Sequence, residues 1–174
     1  MNILENDKIK LRATEPEDID FIYELENNSI FWDIADTNEP YSKYIIKEYI
    51  AYSNKSIYEK KQQRLMIDLK CEKKTIGCID LYNFDPIHER AGVGIFIDTK
   101  YQRKGFAFEA LTILKNYTRN FLHIHQLYCY IAIDNEASIH LFKKANFKEM
   151  GILKDWIKTY GKQYKDVGIF TLIL

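Results

Sequence analysis

Alternation and helical spacing divide this chain into eleven elements. Residues 8–13, KIKLRA, alternate in polarity and predict a short strand. Thr14, Glu15, Pro16 and Glu17 then read as a capping box with proline in the first turn, opening a helix through about Asn27. Its buried stripe is Ile19, Ile22, Tyr23 and Leu25 or Glu26. Ser42 caps a second helix, with Ile45, Ile46, Tyr49, Ile50 and Ser53 on its apolar face. From Arg64 the period changes to two. RLMIDLKC, TIGCIDLYNF and AGVGIFID predict three successive strands, with a tight turn at 72–74 and a longer loop at 85–90. A helix from Gly105 to about Phe121 turns Ala107, Ala110, Leu111, Leu114 and Thr118 to one side. LYCYIAID predicts a strand, residues 135–145 a short helix, and FKEMGILKDW and YKDVGIFTLIL two closing strands. The order β-α-α-β-β-β-α-β-α-β-β implies an α/β sheet. It is antiparallel through its hairpins and parallel where a helix joins the fourth and fifth strands.

Composition narrows the class. The 174 residues carry 25 basic and 25 acidic side chains, so net charge points to neither nucleic acid nor an anionic membrane. Seven glycines, three prolines and no repeat or linker imply one domain spanning 1–174. No run approaches the roughly 18 apolar residues of a membrane span, and the start MNILENDKIKLRA has no basic-then-apolar signal. Cys71, Cys78 and Cys129 are odd in number and lack C-x-x-C spacing, which suits buried free thiols in a reducing cytosol. The expectation is a soluble cytoplasmic protein, and the 13 tyrosines leave room for a ligand cleft or a homodimer interface.

The chemistry concentrates between a strand and a helix. Gln102, Arg103, Lys104, Gly105, Phe106 and Ala107 follow GIFID and open the helix at Gly105. Free N–H groups at a helix start and the helix dipole favour an anion, and glycine lets a phosphate approach the backbone. Arg103 and Lys104 add positive charge. Read alone, the pattern also describes a glycine turn with two solvated basic residues. Neither G-x-x-x-x-G-K-[ST] nor a strand-linked G-x-G-x-x-G occurs, which argues against other nucleotide-binding folds.

A second block, DNEASIHLFKKANF at 134–147, turns from strand to helix with Asn135 as a good N-cap. Together the two blocks resemble the GCN5-related N-acetyltransferase (GNAT) superfamily. The loop matches its Q/R-x-x-G-x-G/A acyl-CoA signature, and the second block is similar to its D-N-x-x-S-x-x-L-Y-E-K-x-G-F. RATEPEDID resembles the start of the family's first helix. TIGCIDLYNFDP with RAGVGIFI resembles the branch of ribosomal-protein alanine and spermidine acetyltransferases.

The resemblance implies a mixed, mostly antiparallel sheet of six to seven strands flanked by about four helices. It implies acetyl-CoA as cosubstrate, with its pyrophosphate on the loop from Gln102 through Arg103, Lys104, Gly105 and Phe106 to Ala107. The pantetheine arm would pair with Ile95, Phe96 and Ile97, flanked by Asn135, Phe142, Lys143 and Lys144. Acetyl would pass to a primary amine, either a small molecule such as a polyamine or a peptide N-terminus. The alternative is a non-catalytic acyl-CoA-binding module of the same fold.

Two departures bear on that alternative. Phe142 stands where the family often has an acidic tyrosine, and Gly92 where many relatives carry a glutamate. Asp80 and Asn135 are then the candidates for the catalytic step, with Tyr82 and Tyr128 as further hydroxyls. Period two puts Asp80 and Tyr82 on one face of the third strand, opposite Ile79 and Leu81. Asp33, Asp36 and Glu39 could attract a cationic acceptor, or form a solvated loop. Tyr164 and Asp166 match a recurrent Y-x-D of this branch. His123 and His125 lack a third ligand, and no metal site is expected.

Overall fold

The computed structural model describes residues 2–28, 39–159, 161 and 163–174. The chain runs β1 (Ile9–Ala13), α1 (Ile19–Glu26), α2 (Lys43–Tyr52), α3 (Ile57–Lys60), β2 (Gln63–Leu69), β3 (Lys74–Asp85) and β4 (Arg90–Ile97). It continues through α4 (Phe106–Asn120), β5 (Gln126–Ala132), α5 (Glu136–Lys144), β6 (Lys148–Lys158) and β7 (Tyr164–Ile173). The strands form one seven-stranded sheet in the order β1-β2-β3-β4-β5-β7-β6. Every neighbouring pair is antiparallel except β4 with β5, which α4 joins as a parallel crossover. This is the mixed sheet expected of the GNAT fold.

Alternation along the strands sorts the core into two layers. Leu11, Leu65, Ile67, Ile79, Leu81 and Val93 join Leu111 and Leu114 in the layer beneath α4 and α5. On the opposite face Met66 and Cys78 pack with Ile22 of α1 and Ile46 and Ile50 of α2. Ser42 does cap α2, accepting from the Ile45 N–H at 3.2 Å. Ile45 itself is exposed, so the apolar stripe of α2 is narrower than its sequence predicts.

The entry to α1 differs from the predicted box. Pro16–Asp18 winds as a single 3-10 turn, and the cap is Glu15, whose N–H is accepted by Asp18 at 2.8 Å. Asp18 is fixed there because both its oxygens take hydrogen bonds from Arg12, at 2.7 and 2.8 Å. Arg12 also reaches Asp68 at 2.6 Å, so one guanidinium ties β1, β2 and the turn together. Thr14 is buried, and its hydroxyl has no partner among the described residues. Cys71 corrects another expectation. It lies exposed just past β2, whereas Cys78 and Cys129 are buried. Four-residue α3 was not visible in the sequence pattern, being too short to show a period.

Candidate active site

The site begins where β4 leaves β5. The two strands pair only at Arg90 with Gln126, Ala91 with Leu127 and Gly92 with Tyr128. β3, by contrast, follows β4 as far as Ile97. Beyond Gly92, therefore, β4 has one edge without a neighbouring strand among the described residues, and a wedge opens between it and β5. Unpaired main-chain groups on a strand edge accept an extended polar chain as readily as another strand.

This wedge is part of a continuous cleft of about 2220 Å³. Ile95, Phe96 and Ile97 form one wall, and Ile131, Ala132 and Asn135 stand across from them. At the outer end lie Gln102, Arg103, Gly105, Phe106 and Ala107. Gly105 caps α4 with φ +87°, and Arg103 has φ +60°. No atom lies within 4 Å of where a Gly105 side chain would start, so backbone conformation and not crowding calls for glycine. Gln102 Nε2 donates to the Ile97 carbonyl at 2.9 Å, fastening the loop to the end of β4. The leading N–H groups of α4 have no acceptor within the helix, which makes this end an anion site.

The other sequence-predicted residues divide. Asn135 caps α5, its Oδ1 accepting from Ser138 N–H at 3.1 Å, and it lines the cleft. Phe142 is buried, meets Phe147 edge to face and also borders the cleft. Lys144 lines it too, with Nζ over the Phe108 ring. Lys143 does not: its Nζ turns to Glu149 at 2.9 Å. Lys104 lies over the Tyr101 ring and is outside the cleft wall.

On the face beneath α1 and α2 the same cleft holds a polar cluster. Arg64 of β2 donates two hydrogen bonds of 2.8 Å to Asp80 of β3, and its remaining nitrogen reaches Glu26 of α1 at 2.6 Å. The β2–β3 register places Arg64 directly opposite Asp80. Burial acts to lower the Arg64 proton affinity, but Asp80 and its neighbours outweigh it and hold the guanidinium charged. Tyr49 rests against this guanidinium, its phenol pushed up to about 12 by burial. Asp80 thus borders the cleft and does not lie in open solvent. Tyr82 shares its face, as period two requires.

Arg64, Glu26 and Tyr49 were missed as cleft residues, and the pairing of Arg64 with Asp80 needed the strand register to be seen. Asp33 and Asp36 lie outside the described residues, and Glu39 is exposed and not part of the cleft wall. Tyr164 is exposed, while Asp166 accepts from Lys154 Nζ at 2.6 Å and from Asp155 N–H at 3.0 Å within the closing hairpin. Among the described residues no group of three or more His, Cys, Asp or Glu side chains is placed to hold a metal, and no helix is long and apolar enough to cross a membrane.

A wedge of free strand edge ending on a helix N-terminus, with carboxylates on its far side, suits an extended phosphate-tailed ligand and a cation in one cleft. A family model described as an acetyltransferase (GNAT) domain matches residues 8–148, and the chain belongs to that family. It is an N-acetyltransferase. It is 30% identical over 165 residues to the spermidine N(1)-acetyltransferase of Vibrio cholerae, covering 93% of this chain and 91% of the relative. A structure of spermidine N-acetyltransferase from Vibrio cholerae in complex with CoA and spermine superimposes with a TM-score of 0.85 at 27% identity, covering 97% of this chain and 96% of that one. A dodecameric structure of the Vibrio cholerae enzyme superimposes with a TM-score of 0.79 at 30% identity, over 97% and 95%.

Proposed function

We propose that this enzyme transfers acetyl from acetyl-CoA to a primary amine of a polyamine, by direct attack while donor and acceptor are held together. The observation that carries this reading is the single cleft, with an anion-binding helix start at one end and the Glu26, Arg64 and Asp80 cluster at the other. Two carboxylates share one guanidinium there, leaving a net negative charge that favours a cationic acceptor. Similarity over nearly the whole chain to spermidine acetyltransferases supports the same acceptor class.

The donor supplies an acetyl group activated as a thioester. The amides of loop 102–107 and the first turn of α4 hold its pyrophosphate, with Arg103 at the rim. The free edge of β4 at Ile95, Phe96 and Ile97 aligns the arm, with Asn135, Phe142 and Lys144 on the opposite wall. A β4 N–H stabilises the oxyanion. Each Asp80 oxygen keeps a lone pair beyond those bound to Arg64, and these accept the ammonium and then its proton. Holding amine and thioester in one geometry supplies much of the acceleration.

We read residues 1–174 as one acetyltransferase domain that works in the cytoplasm, where its three free thiols stay reduced. Self-association, as a homodimer or a larger assembly, is supported by Met150, Ile152 and Trp156 exposed along β6, and sedimentation tests it. The functional test is release of CoA thiol from acetyl-CoA with spermidine, spermine, amino acids, aminoglycosides and short peptides. Spermidine or spermine should give the highest kcat/KM. No turnover with any of them overturns the reading.

A further inference from the structure

Phe142 leaves the leaving thiolate without the hydroxyl that this helix often provides, and Gly92 leaves β4 without a side chain at the mouth of the wedge. One residue occupies the second of these spaces. A Cβ on Gly92 would lie 2.2 Å from Tyr82 Cε2 and 2.4 Å from Cζ, so the phenol ring rests directly on the Gly92 backbone. It also comes within 4.0 Å of the corresponding position on Gly94. Gly92 is the last residue of β4 that pairs with β5, and Gly94 is already in the wedge. The ring therefore sits across the point where the strands part, and Tyr82 lines the cleft.

The hydroxyl is placed by both strands. Tyr82 pairs with Gly92 across β3 and β4, and its ring meets Tyr128 of β5 edge to face at 6.0 Å. Burial raises the Tyr82 phenol far above its ordinary value, and the Tyr130 main-chain N–H pulls it partly back. The titratable groups around it are Cys129, Tyr128 and Tyr130, all on β5. Burial also raises Cys129 and Tyr128, so the phenol keeps its proton and has no carboxylate beside it to take one. Among the described residues no side chain or carbonyl accepts that proton. Of the other cleft phenols, buried Tyr101 donates to Glu72 at 2.6 Å and half-buried Tyr49 is spent against Arg64 on the acceptor side.

We propose that Tyr82 is the proton donor to the leaving sulfur, taking from β3 the part that Phe142 of α5 cannot play. This rests on the acyl-CoA reading above, in which an arm running along Ile97 toward Ile95 brings its thioester to Gly94 and the mouth of the wedge. The amine lone pair forms the new C–N bond, and the C–S bond breaks with its electron pair on sulfur. Tyr82 gives its O–H proton to that sulfur. The phenolate is restored by the proton that the nitrogen sheds on becoming an amide.

The test compares wild type with Tyr82→Phe. Calorimetry with acetyl-CoA, CoA and desulfo-CoA measures binding, and ultraviolet absorbance of the thiolate measures the pKa of the bound CoA thiol. A donor beside sulfur favours the thiolate, so the bound thiol of Tyr82→Phe should titrate higher than that of wild type, with desulfo-CoA affinity unchanged. The kcat should fall about 100-fold. An unchanged thiol pKa with intact binding overturns the Tyr82 assignment alone, whereas wild type that binds none of the three overturns the acyl-CoA reading beneath it. Fluorotyrosine at position 82 preserves shape and covers a misfolded Tyr82→Phe. It should move the alkaline limb of kcat to lower pH, and an unmoved limb overturns the assignment.

Discussion

Arg64 and Asp80 meet through two parallel hydrogen bonds of 2.8 Å across adjacent strands, in the fork geometry that fixes a carboxylate most firmly. Asp80→Asn keeps the shape but gives up the charge on which the acceptor role depends. We expect kcat/KM for polyamines to fall about 100-fold, with acetyl-CoA affinity unchanged by calorimetry. A normal rate removes Asp80 as the base. Because the pair is largely buried, the accompanying loss of stability should be about 3 kcal/mol by urea denaturation.

Gly92 owes its identity to the ring above it. Gly92→Ala should cost about 1–3 kcal/mol by overpacking against Tyr82. In a Tyr82→Ala background the added methyl has room, and most of that cost should vanish. The double-mutant cycle measured by urea denaturation therefore gives a coupling of the same size, and additive losses refute the contact.

At Gly105 the positive φ and the anion site make separate demands. Gly105→Ala should lose about 1 kcal/mol from the left-handed backbone alone, with acetyl-CoA still bound. Gly105→Glu adds a carboxylate at the helix start, where negative charge is meant to bind, and should abolish the rise in Tm that CoA gives wild type. A rise that survives Gly105→Glu places the pyrophosphate elsewhere.

Glu109, one turn into α4, accepts from Lys8 Nζ at 2.7 Å and Asn6 Nδ2 at 2.9 Å, pinning the N-terminal segment beside the loop. Burial acts to raise its pKa, but Lys8 and Asn6 outweigh it and hold the carboxyl below its usual value of 4.5. A depressed carboxyl contributes stability above the unfolded value and loses it as pH falls through the folded one. Wild type and Glu109→Gln should therefore differ in Tm at neutral pH and converge below about pH 4. A constant difference across that range refutes the linkage.

What the sequence could tell follows from the range over which each signal acts. The strands of the sheet and the loop at 102–107 declare themselves locally, through period two and through a glycine between strand and helix. Asp80 and Tyr82 could be put on one face by counting. Their partners could not be found that way, because Arg64 and Gly92 reach them only through the pairing of β2, β3 and β4. A free edge at Ile95, Phe96 and Ile97 was implied by the family resemblance alone, since nothing in the residues of RAGVGIFI says that its second edge is unpaired after Gly92. At the start of α1 the local rule failed for a similar reason, since Arg12 draws Asp18 into the cap and leaves Thr14 buried.

The parallel seam between β4 and β5 is three residue pairs long, and it joins four strands on one side to three on the other. Main-chain pairing across the sheet is thus thinnest at this seam, where one buried core beneath the crossover helix joins the two halves, and an occupant of the wedge would add main-chain bonds there. A donor whose amides extend the pairing of β4 would protect that strand before any acceptor arrives. Protease resistance and slow amide exchange along β4 would then report how well the enzyme is fed.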